Sequence, residues 1–321
     1  MLVQENLILL EKPSKAGSSS SDSTARRTLS KIRGVLFHLK TLYLFTRSDV
    51  KTVLAPQIIF VVAVVLSRER LTTGDEPASL YALRRLPLAV AWIWFNLIIC
   101  GISNQRLPES ILEDEHNKPW RPIADNRLTP EEAQKLLLAI IPLAMVSSLF
   151  LGGFTPTVTM MALLWMYNDL DGSSINVWGR NAINTGGIMC FSAGALEVMS
   201  GGQLLPKAWT WIGLTGAAIA STVQALDFPD MEGDRARDRQ TIPLLYGETF
   251  ARRSLAMAVV FWSAVCSSFW ELRLSCRAIP LSVGFTMAVL TVMRRGEKCD
   301  KIVAKLWCMW MSVLYLLPLL V

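Results

Sequence analysis

Asp227, Asp230 and Asp234 follow an apolar segment, in the run Asp227-Phe228-Pro229-Asp230-Met231-Glu232-Gly233-Asp234-Arg235-Ala236-Arg237-Asp238-Arg239. At about 100° per residue, offsets of three and seven keep the three carboxylates within one narrow helical stripe. Three acids on one face repel one another unless a cation sits between them. An oxygen-only set with basic residues close by suits Mg2+, which binds through a few carboxylates plus phosphates. Arg235, Arg237 and Arg239 follow directly, and guanidinium forks bind phosphate oxygens bidentately. The competing reading is a solvated acidic turn between two helices.

A second segment, residues 104–122, has the same character. Ser110, Asp114 and Asn117 are spaced i, i+4, i+7 and share a helical face. Pro119 disfavours helix at Lys118, so the chain should turn there and bring out Lys118 and Arg121 just beyond the oxygen ligands. Such a loop can hold a metal and a phosphate together, or it can be a charged connection. Between the two acidic segments, Tyr167, Asn168 and Asp169 close one apolar stretch, while Arg180, Asn181 and Asn184 open the next. Helix capping and ligand binding both fit Asn168, Asp169 and Asn181. Most of the 11 Trp and 12 Phe read as packing or interfacial-belt residues. Trp92, Trp94, Phe95, Trp165 and Trp178 lie nearest the polar segments and are candidates to line a cavity, where ring faces stabilise cations.

The elements that must position these groups are apolar helices. The chain of 321 residues is 52% hydrophobic, with a mean hydropathy of +0.37. Nine apolar stretches lie near 52–67, 86–104, 135–152, 154–168, 181–200, 208–226, 252–270, 278–293 and 302–321. The fold class they imply is all-α: one polytopic membrane bundle of about nine transmembrane helices. On that reading 25 of the 32 Lys and Arg fall on the side of the N-terminus. The positive-inside rule then puts the N-terminus and the acidic stripe in the cytoplasm and the C-terminus across the membrane.

Residues 1–30 are polar and Ser-rich and lack the apolar core of a signal peptide. Residues 1–34 read as a flexible cytoplasmic tail and 35–321 as the membrane domain. Residues 35–47 alternate apolar and basic, which suits a helix at the membrane surface. Six scattered cysteines and two histidines argue against a thiolate or imidazole metal site. The expected partner is the lipid bilayer, and no nucleic acid is expected.

At these residues the chain resembles the UbiA superfamily of intramembrane prenyltransferases, over nearly its whole length after residue 35. Asp227, Asp230 and Asp234 look like the family's second aspartate-rich motif. Asn117-Lys118-Pro119-Trp120-Arg121-Pro122 looks like its Asn-Lys-Pro-x-Arg-Pro run. The first motif departs from the family pattern. Where the family has Asn, Asp and Asp at steps of four, this chain has Arg106, Ser110 and Asp114, with Asn104 two residues early and Glu113 a partial substitute. That departure, and the run Phe45-Thr46-Arg47-Ser48-Asp49, resemble a fungal branch that includes membrane-bound terpene cyclases. Other members of that branch prenylate aromatic or polyketide acceptors.

The resemblance implies a Mg2+-dependent enzyme acting on an allylic prenyl diphosphate, farnesyl or geranylgeranyl diphosphate, at the endoplasmic reticulum. Asp114, Asp227, Asp230 and Asp234 would be the metal ligands and catalytic acids. Asn104, Asn117, Lys118, Arg121, Arg180 and Arg235 would bind the diphosphate. Terpene cyclisation in natural-product biosynthesis is the leading expectation and prenyl transfer to an acceptor the second. A transporter or scaffold is the third. It is disfavoured because the acids cluster at span ends on one side rather than at the bilayer midplane.

Overall fold

The computed structural model describes residues 20–67, 71–73, 80–236 and 239–321. Among these residues the chain is helical apart from one isolated antiparallel bridge, Thr72 with Leu204. Contacts divide it into residues 1–42 and 43–321. The first unit contains most of α1 (Ser20–Thr46), which begins inside the segment read as a tail. Ile32, Val35, Leu36, Phe37 and Leu39 on this helix are exposed.

The second unit is the bundle. After a π-helical turn at Val50–Leu54 come α2 (Ala55–Leu66), α3 (Leu80–Gln105), α4 (Pro108–Asn117), α5 (Pro130–Leu151) and α6 (Phe154–Asn168). Then follow α7 (Gly172–Ile175), α8 (Val177–Ser200), α9 (Pro206–Thr222), α10 (Met231–Ala236) and α11 (Ile242–Tyr246). The chain finishes with α12 (Glu248–Phe269), α13 (Leu274–Met293) and α14 (Glu297–Leu316).

Each of the nine apolar stretches coincides with one helix, namely α2, α3, α5, α6, α8, α9, α12, α13 or α14. The count of nine spans is matched only in part by length and composition. Among the described residues five helices are long and apolar enough to cross a bilayer, within α3, α5, α8, α13 and α14, or six if residues 30–66 form one broken span. Length is the reason for α2, α6 and α9, which have 12, 15 and 17 residues. At about 1.5 Å per residue they fall short of a hydrocarbon core of about 30 Å. Helix α12 carries Glu248, Arg252 and Arg253 in its first turns.

The boundaries follow local chemistry. Thr129 and Glu132 form a reciprocal capping box at the start of α5, with Pro130 in the first turn. Gly152 and Gly153 have φ of 104° and 77°. That left-handed backbone, open to glycine, folds α6 back after two residues. Asn176 caps α8 by accepting from the Gly179 amide at 2.7 Å. Helix α8 is central and packs on α2, α3, α6 and α9. Its Gly194 lies against the Trp92 ring of α3, where a Cβ would come within 2.2 Å of the ring. Trp211, Trp270 and Trp310 are fully buried, while Phe150, Leu138, Leu274 and Met293 point outward. An apolar exterior around a packed core is the arrangement a lipid-facing bundle requires.

Candidate active site

A cavity of about 1230 Å³ opens among these helices. Its apolar wall includes Val53, Leu97, Met160, Leu163, Phe191 and Trp307. Its polar wall comes from α4, the turn after α9, and the starts of α8 and of the segment after α10. Helix α4 stops at Asn117, with Lys118 as its C-cap before Pro119. The aspartate run is not one continuous stripe. A short 3-10 turn, Phe228–Asp230, precedes α10, because Pro229 sits where the backbone changes pitch.

Each buried aspartate has an arginine partner. Arg121 Nη1 donates to Asp114 Oδ1 and Oδ2 at 2.7 and 2.9 Å. Arg180 Nη2 donates to Asp227 Oδ1 at 3.0 Å. Arg239 Nη1 donates to Asp234 Oδ1 at 3.2 Å and lies 3.5 Å from Glu113 Oε2. Arg239 therefore ties the second loop to the first. A second tie is the contact of Gly233 with Asn117, where a Cβ would stand 2.2 Å from Asn117 Nδ2.

These pairs leave atoms over. Among the described residues Asp227 Oδ2 and Asp234 Oδ2 are buried with no partner, and so are Nε and Nη1 of Arg180 and Nε of Arg121 and Arg239. An unpaired buried polar atom costs about 1–3 kcal/mol. The cavity wall thus offers acceptors that suit a cation beside donors that suit an anion. Burial raises the carboxyl pKa of Asp114 against the pull of Arg121, and that of Asp227 against Arg180. Burial also pushes Asp234 up to about 6, although Arg180 and Arg239 favour its anion.

Asp114, Asp227, Asp230, Asp234, Asn104, Asn117, Lys118, Arg121 and Arg180 all line this one cavity. Among the described residues no three carboxylate, imidazole or thiol groups converge tightly enough to hold a metal by themselves. Two free aspartate oxygens still fit Mg2+, which takes one or two carboxylates and completes its shell with water and substrate phosphate. Arg235 is exposed and is not among the lining residues; Arg239 takes that place. Arg237 lies outside the described residues. Asn181 is buried with neither amide atom paired among the described residues, and Asn176 is the cap instead. Asn168 donates to Asn104 Oδ1 at 2.9 Å, and Asp169 pairs with Arg106.

The five aromatic candidates do not line the cavity. Trp92 is buried and donates to Ser148 Oγ, Trp94 donates to Thr46 Oγ1, and Trp165 and Trp178 are exposed. The lining aromatics are Tyr167, Phe191 and Trp307. Proximity in sequence to polar segments picked the wrong rings, because cavity position depends on helix rotation.

A helical membrane protein with such a mixed-charge cavity has known counterparts. Residues 73–312 match the model of the UbiA prenyltransferase family. The chain belongs to that family and is an integral membrane enzyme of UbiA type. It is 30% identical over 235 residues to a protein of Aspergillus fumigatus named fumagillin beta-trans-bergamotene synthase, covering 73% of this chain and 75% of that one. It is 27% identical over 303 residues to the somaliensene A/B synthase of Streptomyces somaliensis, covering 91% and 95%. A solved UbiA homologue from Archaeoglobus fulgidus, bound to GPP and Mg2+, shares the fold with a TM-score of 0.57 at 11% identity, covering 87% and 99%.

Proposed function

We propose that this enzyme ionises an allylic prenyl diphosphate with the help of Mg2+ and cyclises the hydrocarbon to a terpene. The observation that carries this reading is the coexistence of unpaired buried acceptors, on Asp227 and Asp234, with unpaired buried donors, on Arg121, Arg180 and Arg239, in one cavity with an apolar wall. A metal–diphosphate pair satisfies both sets, and the apolar wall receives a prenyl chain. The names of the two curated relatives support the cyclase choice.

Asp227, Asp230 and Asp234 would hold the metal, with Asp114 across the cavity. Bound Mg2+ supplies Lewis-acid neutralisation of the diphosphate. Arg180, Arg121, Lys118 and Arg239 hold the diphosphate oxygens and stabilise the charge that develops as the C–O bond breaks. Asn104 and Asn117 assist at the rim. The apolar wall keeps water from the cation.

Prenyl transfer to an aromatic or polyketide acceptor is the second reading, supported by the family to which the chain belongs. The domain is residues 35–321, preceded by a cytoplasmic segment over 1–34, with both acidic loops on the cytoplasmic face of the endoplasmic reticulum. If all nine apolar helices cross, a glycosylation reporter in residues 105–130 should stay unmodified and one at the C-terminus should be modified; with only the five or six spans counted above, both would fall on one side. The activity test incubates membranes containing the protein with farnesyl or geranylgeranyl diphosphate and Mg2+, without acceptor. Cyclic hydrocarbons by mass spectrometry are the expected result. Turnover only after an aromatic acceptor is added selects the transferase.

A further inference from the structure

Cyclisation and prenyl transfer share a step that the paired aspartates are poorly suited to perform. Ionisation breaks the C–O bond and the diphosphate leaves with its electron pair. A C–C bond then forms, and one proton must leave carbon before the product is neutral. Asp114, Asp227 and Asp234 are paired with arginines on the polar wall, and the oxygens that Asp227 and Asp234 leave over are the ones assigned above to the metal. A hydrocarbon cation formed there would lie against the apolar wall.

Asp49 lines that same cavity but stands on neither acidic loop. It lies at the break between α1 and α2, and Val53, Leu97 and Cys100 line the same cavity. Cys100 is one helical turn, about 6 Å, along α3 from the rim residue Asn104.

The backbone under Asp49 is held from several sides. Gln105 Nε2 donates to the Phe45 carbonyl at 2.9 Å, and Trp94 Nε1 donates to Thr46 Oγ1 at 3.2 Å. Gly101 admits the Phe45 carbonyl so closely that a Cβ there would stand 2.6 Å from it. The Asp49 amide bonds Thr46 O, and its own carbonyl accepts from both Val53 and Leu54, which closes the π turn. Single π turns inside helices recur at functional sites. Among the described residues the carboxylate makes one hydrogen-bond contact, a long one with Thr52 Oγ1 at 3.5 Å. Asp49 is half-buried, in the wall of a cavity that Arg121 and Lys118 also line. A desolvated carboxylate is a stronger base than one in water.

We propose that the Asp49 carboxylate is the catalytic base that takes the proton lost from the cationic hydrocarbon. The inference rests on the function proposed above. The C–H electron pair becomes the new double bond in a cyclic product, or restores aromaticity in a prenylated acceptor. Asp49 then gives its proton to water after product leaves, and diphosphate is the other product.

The test uses the full chain in membranes with Mg2+ and farnesyl or geranylgeranyl diphosphate, with and without an aromatic acceptor. It reads diphosphate release and product profile separately. Asp49→Asn keeps the side-chain shape and removes the base. Diphosphate release should stay within about threefold of wild type, while the wild-type product falls about tenfold or more. Alcohols from water capture and alkenes from proton loss elsewhere should replace it. Asp49→Glu should restore part of the wild-type product and shift its ratio to the minor ones.

An unchanged profile in Asp49→Asn overturns the proposal and leaves the released diphosphate as proton acceptor. Parallel loss of diphosphate release also overturns it, because Asp49 would then belong to the ionisation step. If Asp49→Asn does not accumulate in membranes, Asp49→Glu decides: an altered product ratio supports the assignment and an unaltered one overturns it. Wild-type protein that releases no diphosphate under any condition defeats the functional reading, and the Asp49 assignment falls with it.

Discussion

In the loop after α3, Asp114 is neutralised from within its own segment, by Arg121 seven residues on. In the segment after α9, Asp227 is neutralised from a different helix, by Arg180 at the start of α8. The first arrangement uses both carboxylate oxygens. The second leaves one oxygen of Asp227 and one of Asp234 unpaired. The first loop also has Ser110, buried, one turn before Asp114. The two loops are therefore unequal: on the proposed function the second would accept a cation, and the first would contribute mainly cationic and amide groups for an anion.

The largest test of that inequality compares aspartates. Asp230→Ala or Asp234→Ala should lower prenyl diphosphate turnover by about a thousandfold, the scale of a lost Lewis-acid ligand. Membrane abundance should stay near wild type. Asp114→Ala should cost about tenfold to a hundredfold, through a misplaced Arg121. Equal losses at Asp114 and Asp234 in steady-state turnover would break the comparison.

A second test uses pH. The Asp234 carboxyl stands at about 6, above its ordinary 3.8, because of burial. Its raised value favours the protonated form in the fold. The group's contribution to stability of the metal-free protein is thus fully present below the ordinary value and is lost as pH rises through about 6. Metal binding runs the other way, since Mg2+ needs the anion. The Mg2+ concentration giving half-maximal activity should rise about tenfold per pH unit below about 6. Asp234→Asn should lose this dependence along with most activity.

The contact between the loops gives a third test. Gly233→Ala drives a methyl group against Asn117 Nδ2. Displacement of either loop by a fraction of an ångström should cost about tenfold in turnover. Asn117 is the end of a movable side chain, so Gly233→Ala with Asn117→Ala should do no worse than Asn117→Ala alone. Additive losses in the double variant would show that the contact does not couple the loops.

The smallest expected change comes from Ser110→Asp. An added carboxylate about one turn from Asp114 competes for Arg121 and repels its neighbour. Turnover should not rise, and no new acceptor prenylation should appear in the product profile. A clear rise in Mg2+ affinity together with acceptor prenylation would make the first loop a weakened copy of the second.

Much of this was written in local sequence. The apolar stretches became helices because each is long enough to close its own backbone hydrogen bonds. Lys118 ends α4 because Pro119 follows it. Nine of the ten proposed metal and diphosphate residues reach one cavity, because the two polar segments join helices that pack around it. The number of spans was less legible, since apolar character does not report whether a helix of 12 to 17 residues crosses or only packs.

Pairing was decided by the tertiary structure alone. Arg235 follows Asp234 directly but faces about 100° away on α10 and is exposed, whereas Arg239 returns from the next segment to bond it. Arg180 meets Asp227 across 47 positions of sequence. Asp49 reaches the cavity because α3 grips the chain at Phe45 and Thr46. The sequence by itself determined which residue types were available and which helices would carry them, because hydrophobic period and proline placement act locally. Which charge neutralises which, which rings line the cavity, and which oxygens remain free depend on helix rotation and long-range packing, and only the folded bundle sets those.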